Sequence, residues 1–166
     1  YRWAHLQDVE TLTDIQRAAR FYYLQKLSFG AKLEGQTFGV GPTSTKRINL
    51  MRLEQDLSDA HLRLQGVVVE NLGWQRCVEK YDRAETLFLL DPPYWETTGY
   101  GEPFPLQQYE QLASTMAGLK GRAILTINDH PEMRRLFDQF ERREVPIRYT
   151  VGGGAGVART ELIYTT

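Results

Sequence analysis

The sequence predicts an α/β fold, on three observations. From Leu87 onward the pattern runs strand, helix, strand, helix, strand, strand, and such alternation argues for a layered sheet with helices. Residues 86–90 and 123–127 are almost entirely apolar, the mark of strands covered on both faces. Both runs stop at a polar turn, Asp91-Pro92-Pro93-Tyr94 and Asn128-Asp129-His130, and in open α/β sheets ligands bind beyond the carboxyl ends of the strands.

Each element has a local reason. Thr13-Asp14-Ile15-Gln16 reads as a capping box opening a helix to about Ser28. Its apolar residues, including Phe21, Tyr22, Tyr23 and Leu24, lie on more than one face, so the helix is expected to be mostly buried, its aromatic rings in a core rather than stacked on a base. Residues 29–46 hold four glycines and Pro42 and suggest a glycine-bent hairpin or ordered loop. Residues 48–64 carry a stripe of Leu50, Leu53, Leu57, Ala60 and Leu64 opposite a polar side, an amphipathic helix that Gly66 stops. Residues 67–69, three valines, read as a strand, and residues 74–80 as a short helix. Pro105 suits a helix start, with Tyr109, Leu112, Ala113 and Met116 turned inward as far as about Leu119. Pro131 opens a helix carrying Met133, Leu136, Phe137 and Phe140. Residues 144–151 and 160–165 read as strands joined by a glycine turn at 152–156, close enough for an antiparallel pair.

Composition narrows the class. At 166 residues the prior is one domain, long enough to bury a core. No run approaches the ~18 apolar residues of a membrane helix. Residues 1–14 are polar, so no secretory leader is expected within them. A single cysteine, Cys77, excludes an internal disulfide framework and fits a cytoplasmic location; beside apolar neighbours it reads as a small core residue. His5, His61 and His130 have no zinc-site spacing, so no metal is expected. The net charge of −1 hides an asymmetry: residues 13–47 carry a net +4 and residues 82–111 a net −5. A basic segment can face phosphates; ordinary solvated charge is the plain alternative.

The tetrapeptide Asp91-Pro92-Pro93-Tyr94 carries the chemistry. Two consecutive prolines fix two φ angles and remove two backbone donors, and an ionised aspartate only accepts hydrogen bonds. That set suits attack by the exocyclic amine of an aromatic base, a poor nucleophile because its lone pair is delocalised into the ring. The Asp91 carboxylate and the Pro92 carbonyl can accept both amine protons, drawing the nitrogen towards tetrahedral geometry. Tyr94 can stack on the base, and positioning against an electrophilic methyl supplies the rest. A rigid strand-ending turn is the bland reading of the same residues.

Here the sequence resembles a known family. Leu87-Phe88-Leu89-Leu90-Asp91-Pro92-Pro93-Tyr94 is similar to the catalytic motif of DNA adenine methyltransferases, of the phage and prophage type. The run from Arg17 to Gly30, the strand ending Asn128-Asp129-His130, and the glycine turn into Glu161-Leu162-Ile163-Tyr164 resemble further family segments in the family's order. The resemblance implies a partial Rossmann-like methyltransferase sheet at residues 86–166, behind a small, mostly helical target-recognition region at residues 1–85. It implies S-adenosylmethionine as cofactor, double-stranded DNA as partner and a flipped adenine as substrate. By match of position, Asp91, Pro92, Pro93 and Tyr94 are catalytic, Asp91 also meets the cofactor, and Lys32, Lys46 and Arg47 contact DNA. Gln36, Thr37, Thr43, Ser44 and Thr45 lie in the same segment, where a plain surface hairpin is the alternative. Residues 95–104 would border the pocket as a mobile lid.

One departure is large. The family's glycine-rich cofactor turn and its ribose-binding acid have no counterpart here. Residues 152–156 do not replace them, because Val157 breaks G-x-G-x-x-G and a strand follows. The expectation is therefore a truncated enzyme whose 87–90 strand becomes a sheet edge, covered by another copy, by another element or by a further segment of chain. A catalytically inactive prophage remnant that binds DNA or self-associates is the competing reading. A third keeps methyl transfer but turns it on RNA or a protein amide. Arg17 and Arg20 could meet phosphate or form salt bridges, for example to Asp14. Asn128 and Asp129 could shape the pocket or cap the Pro131 helix; His130 reads as structural or exposed.

Overall fold

The computed structural model describes residues 1–28, 35–39, 48–97, 104–149 and 157–166. They form two compact units, Tyr1–Val69 and Glu70–Thr166.

The first unit contains α1 (Arg2–Leu6), a 3-10 turn (Val9–Thr11), α2 (Asp14–Leu27) and α3 (Leu53–Leu64). The capping box is present: Gln16 N–H donates to the Thr13 side chain and the Gln16 side chain accepts from Thr13 N–H. α2 ends at Ser28, which forms a bridge to Phe38. Gly66 adopts φ +80°, the left-handed conformation that ends α3 without a Cβ clash.

Burial here departs from expectation. Of the residues on α2 only Leu24 is buried, while Ile15 is 83% exposed and Phe21 58%. α3 starts at Leu53 rather than Ile48 and buries none of its stripe. Residues 67–69 form no strand and are exposed. The reason is common to all three. Apolar spacing says which face a helix or strand offers, but burial needs a second layer. Among the described residues of this unit, only Ala4, Leu24 and Ser28 are buried.

The second unit has such a layer. It runs α4 (Trp74–Tyr81), β1 (Leu87–Leu90), α5 (Leu106–Ala117), β2 (Arg122–Asn128), α6 (Pro131–Leu136), β3 (Glu141–Tyr149) and β4 (Val157–Thr165). The four strands form one mixed sheet in the order β1-β2-β4-β3. β1 and β2 are parallel; β2 with β4, and β4 with β3, are antiparallel. This is an α/β architecture, as the alternation predicted. Pro146 is tolerated because β3 is an edge strand, where a missing donor breaks no inner ladder. The 152–156 turn lies outside the described residues.

The core is built on one face of that sheet. Ala123, Leu125 and Ile127 of β2 and Leu162 and Tyr164 of β4 meet Tyr109, Leu112, Ala113 and Met116 of α5, with Met133 and Phe137. The opposite face is uncovered among the described residues. Leu87 is 62% exposed and Leu89 73%, and Ile124 and Thr126 are half-buried. Burial of β1 and β2 on both faces is thus corrected: an apolar run permits two covered faces, and this unit covers one. β1 stands at the sheet edge. Among the described residues no helix is long and apolar enough to cross a membrane.

Candidate active site

The site is built where β1 and β2 end together. Their parallel register matches Leu90 with Leu125, so Asp91 leaves β1 level with Thr126. Alternation along a strand puts Thr126 on the face away from the core, and its hydroxyl donates to Asp91 Oδ1 at 2.8 Å. Two residues on, Asn128 holds the other end of the loop. Its side-chain oxygen accepts from Trp95 N–H at 2.8 Å, and its amide nitrogen donates to the Trp95 carbonyl at 3.1 Å. From α5, the buried Tyr109 hydroxyl donates to the Pro93 carbonyl at 2.6 Å. The loop between Leu90 and Trp95 is therefore held at three points by two elements. The Pro92 carbonyl accepts no hydrogen bond from the described residues.

Beyond the motif the chain turns sharply. Thr97 donates to the Tyr94 carbonyl through both its N–H, at 3.1 Å, and its hydroxyl, at 2.6 Å. Glu96 takes φ +57°, a conformation that strains most non-glycine residues. Its carboxylate lies 3.8 Å from His130 Nε2. The Trp95 ring sits edge-on to Tyr109, centroids 5.5 Å apart.

A cavity of about 340 Å³ opens beside the motif, within the size range of small-ligand sites. Its wall is Trp74, Leu89, Leu90, Phe104 and Leu112, closed by Asp91, Pro92 and Pro93. Asp91 is the one ionisable group among them. The Trp74 indole N–H donates to the Gln108 side chain at 2.8 Å, which fixes that ring in the wall. Tyr94 does not line this cavity; it packs against the core.

Glu161 of β4 is paired with Asn128 across the sheet. Burial, and then the negative charge of Asp91, push its carboxyl above the usual range. A carboxyl raised by folding costs stability once ionised; the cost is absent below the unfolded value, near 4.5, and complete above the folded one. Glu161→Gln is therefore expected to raise the unfolding temperature at pH 7, with the gain vanishing as the pH falls to about 4. Melting curves at the two pH values check this, and an equal effect at both would refute it.

The remaining sequence candidates divide. Asp129 caps no helix. Arg134 grips it with two bonds and also reaches Glu144 at 2.6 Å; that guanidinium holds the Asp129 carboxyl below the usual range. The cap of α6 is His130, whose Nδ1 accepts from Glu132 N–H at 3.2 Å. Arg17 pairs with Asp14, and Arg20 donates to the Ala4 carbonyl at 2.6 Å. Cys77 is half-buried. Lys32, Lys46, Arg47, Thr43, Ser44 and Thr45, and residues 98–103 of the expected lid, lie outside the described residues; of the same segment, Gln36 is half-buried and Thr37 exposed.

Sequence reasoning gave Thr126, Tyr109, Trp74 and Glu161 no place at the site. Thr126 had one available signal, a polar residue two places before Asn128 in an otherwise apolar strand. The fold and site together define an α/β protein with a stiff, acceptor-rich loop beside an apolar cavity. No protein-family model and no curated protein sequence matches the chain.

Proposed function

We propose that the second unit carries the acceptor side of an S-adenosylmethionine-dependent methyltransferase acting on the exocyclic amine of adenine in DNA. One observation supports this above the rest. The Asp91 carboxylate is held by one oxygen while the neighbouring Pro92 carbonyl has no donor among the described residues. Two acceptors next to each other, on a backbone stiffened by two prolines, suit an amine with two protons to give. Accepting both draws the nitrogen lone pair out of the ring and makes it available to an electrophilic methyl. The flat apolar walls, Trp74 and Phe104, suit a heteroaromatic ring; in this arrangement they, rather than Tyr94, would flank it.

The cofactor itself fits only in part. S-adenosylmethionine carries a cationic sulfonium and ammonium, a carboxylate and two ribose hydroxyls. Asp91 suits the cationic end, but the cavity wall offers no donor for the carboxylate and no second acid for the ribose. The described residues do not hold the cofactor as a whole. That favours a specific second reading, a module that binds DNA without transferring a methyl group.

Two measurements separate the readings. On the transferase reading, duplex DNA accepts methyl groups from labelled S-adenosylmethionine, and RNA and protein do not. Labelling of RNA or protein instead would move the substrate class. Calorimetric titration of S-adenosylmethionine into the chain is the second: micromolar binding favours the transferase, and no binding alongside tight DNA binding favours the module.

A further inference from the structure

Resting on the reading of the pocket as a site for an amino-bearing base, we infer that Thr126 is a positioning residue that makes the pocket specific for the amine. Asp91 is an exposed carboxylate just past the end of a strand, a place where a side chain ordinarily turns freely between rotamers. Thr126 removes that freedom. It is β-branched and sits on β2, so its own χ1 is restricted by the strand. Its hydroxyl has one proton, and that proton goes to Asp91 Oδ1 at 2.8 Å. One oxygen is thereby tied to the sheet; the other, Oδ2, accepts no hydrogen bond from the described residues, and the acid that feels its charge is Glu161. Asn128, on the same face of the same strand, fixes the far end of the loop through both backbone groups of Trp95. Tyr109 fixes the Pro93 carbonyl from the core side. These two bonds set the backbone, including the Pro92 carbonyl, and neither touches the Asp91 carboxylate. Thr126 alone among the described residues donates a hydrogen bond to that carboxylate.

The consequence is selective. Losing the Thr126 hydroxyl leaves the cavity, its apolar walls and the loop backbone in place, but lets Asp91 turn away. Affinity for the ring should persist while preference for the amine is lost.

The probes are two single-stranded oligodeoxynucleotides, identical except that one carries a central adenine and the other a central purine lacking the 6-amino group. The 166-residue chain is titrated with each. Wild type is expected to prefer adenine by about ten-fold, the scale of a hydrogen bond to a charged group. Thr126→Val, close in shape, is expected to bring that ratio near one while leaving affinity for the purine strand unchanged. Thr126→Ala should behave as the valine variant does, and Thr126→Ser, which keeps the hydroxyl, should restore most of the preference. A Thr126→Val protein that still prefers adenine ten-fold overturns the role of Thr126 and leaves the base site standing. A wild-type protein that binds both strands equally overturns the base site, and this inference with it.

Discussion

Asp91→Ala is expected to lower methyl transfer to adenine by about 10²- to 10³-fold, the scale on which removing one group that engages the reacting atoms acts. The loss should come without unfolding. Asp91 is exposed and, among the described residues, its side-chain hydrogen bond is to Thr126, so the substitution leaves no buried group without a partner. Melting temperature and rate should therefore separate, the first nearly unchanged and the second strongly reduced. A variant with near-normal transfer would remove Asp91 from the chemistry. A variant that both unfolds and fails would instead make Asp91 a structural residue of the strand end.

Gly121→Ala is expected to have the largest effect on stability. A Cβ at Gly121 would lie 2.5 Å from the Thr86 carbonyl oxygen and 2.7 Å from that of Arg83. Both obstacles are backbone, so no side chain can swing aside. The same junction is drawn tight by its own bonds: Gly121 N–H donates to Asp82 at 3.0 Å, and Arg122 N–H to the Thr86 carbonyl at 2.9 Å. The backbone N–H groups of Gly121 and Lys120 also hold the Asp82 carboxyl below its usual range. Forcing this junction apart should cost about 3 kcal/mol, at the upper end of overpacking penalties. Urea unfolding of the full chain reads it as a lowered midpoint. Gly118→Ala, whose Cβ would meet nothing closer than 3.7 Å, is the control and should change little. Because the junction starts the pairing of Leu87 with Arg122, Gly121→Ala should also misalign Asp91 and Thr126 and weaken base binding.

Much of the second unit was legible in the sequence. The inward set Tyr109, Leu112, Ala113 and Met116 is buried as its helical spacing required. Pro131 opens its helix as its fixed φ favours, while Pro105 stands one residue outside its own, as the extended N-cap. The Asp91-Pro92-Pro93-Tyr94 loop was legible as a site candidate because its chemistry is unusual wherever it stands. The first unit was misread in burial rather than in its principal helices. The faces of α2 and α3 are apolar by sequence, yet apolarity records what a helix offers and not what meets it.

By itself, then, the sequence determined the principal helices, the strand-helix alternation of the second unit and a stiff acceptor loop at a strand end. These follow from local forces: side-chain period, proline φ, caps and glycine stops. Only the tertiary structure decided that β1 is an edge with one covered face. The same is true of Pro93 rather than Pro92 giving its carbonyl to Tyr109, of Tyr94 facing the core, and of Thr126 reaching Asp91. Those depend on strand register and on which layers pack together: a polar Thr126 in an apolar strand marks a residue worth noticing, but its partner 35 positions away is named only by the register.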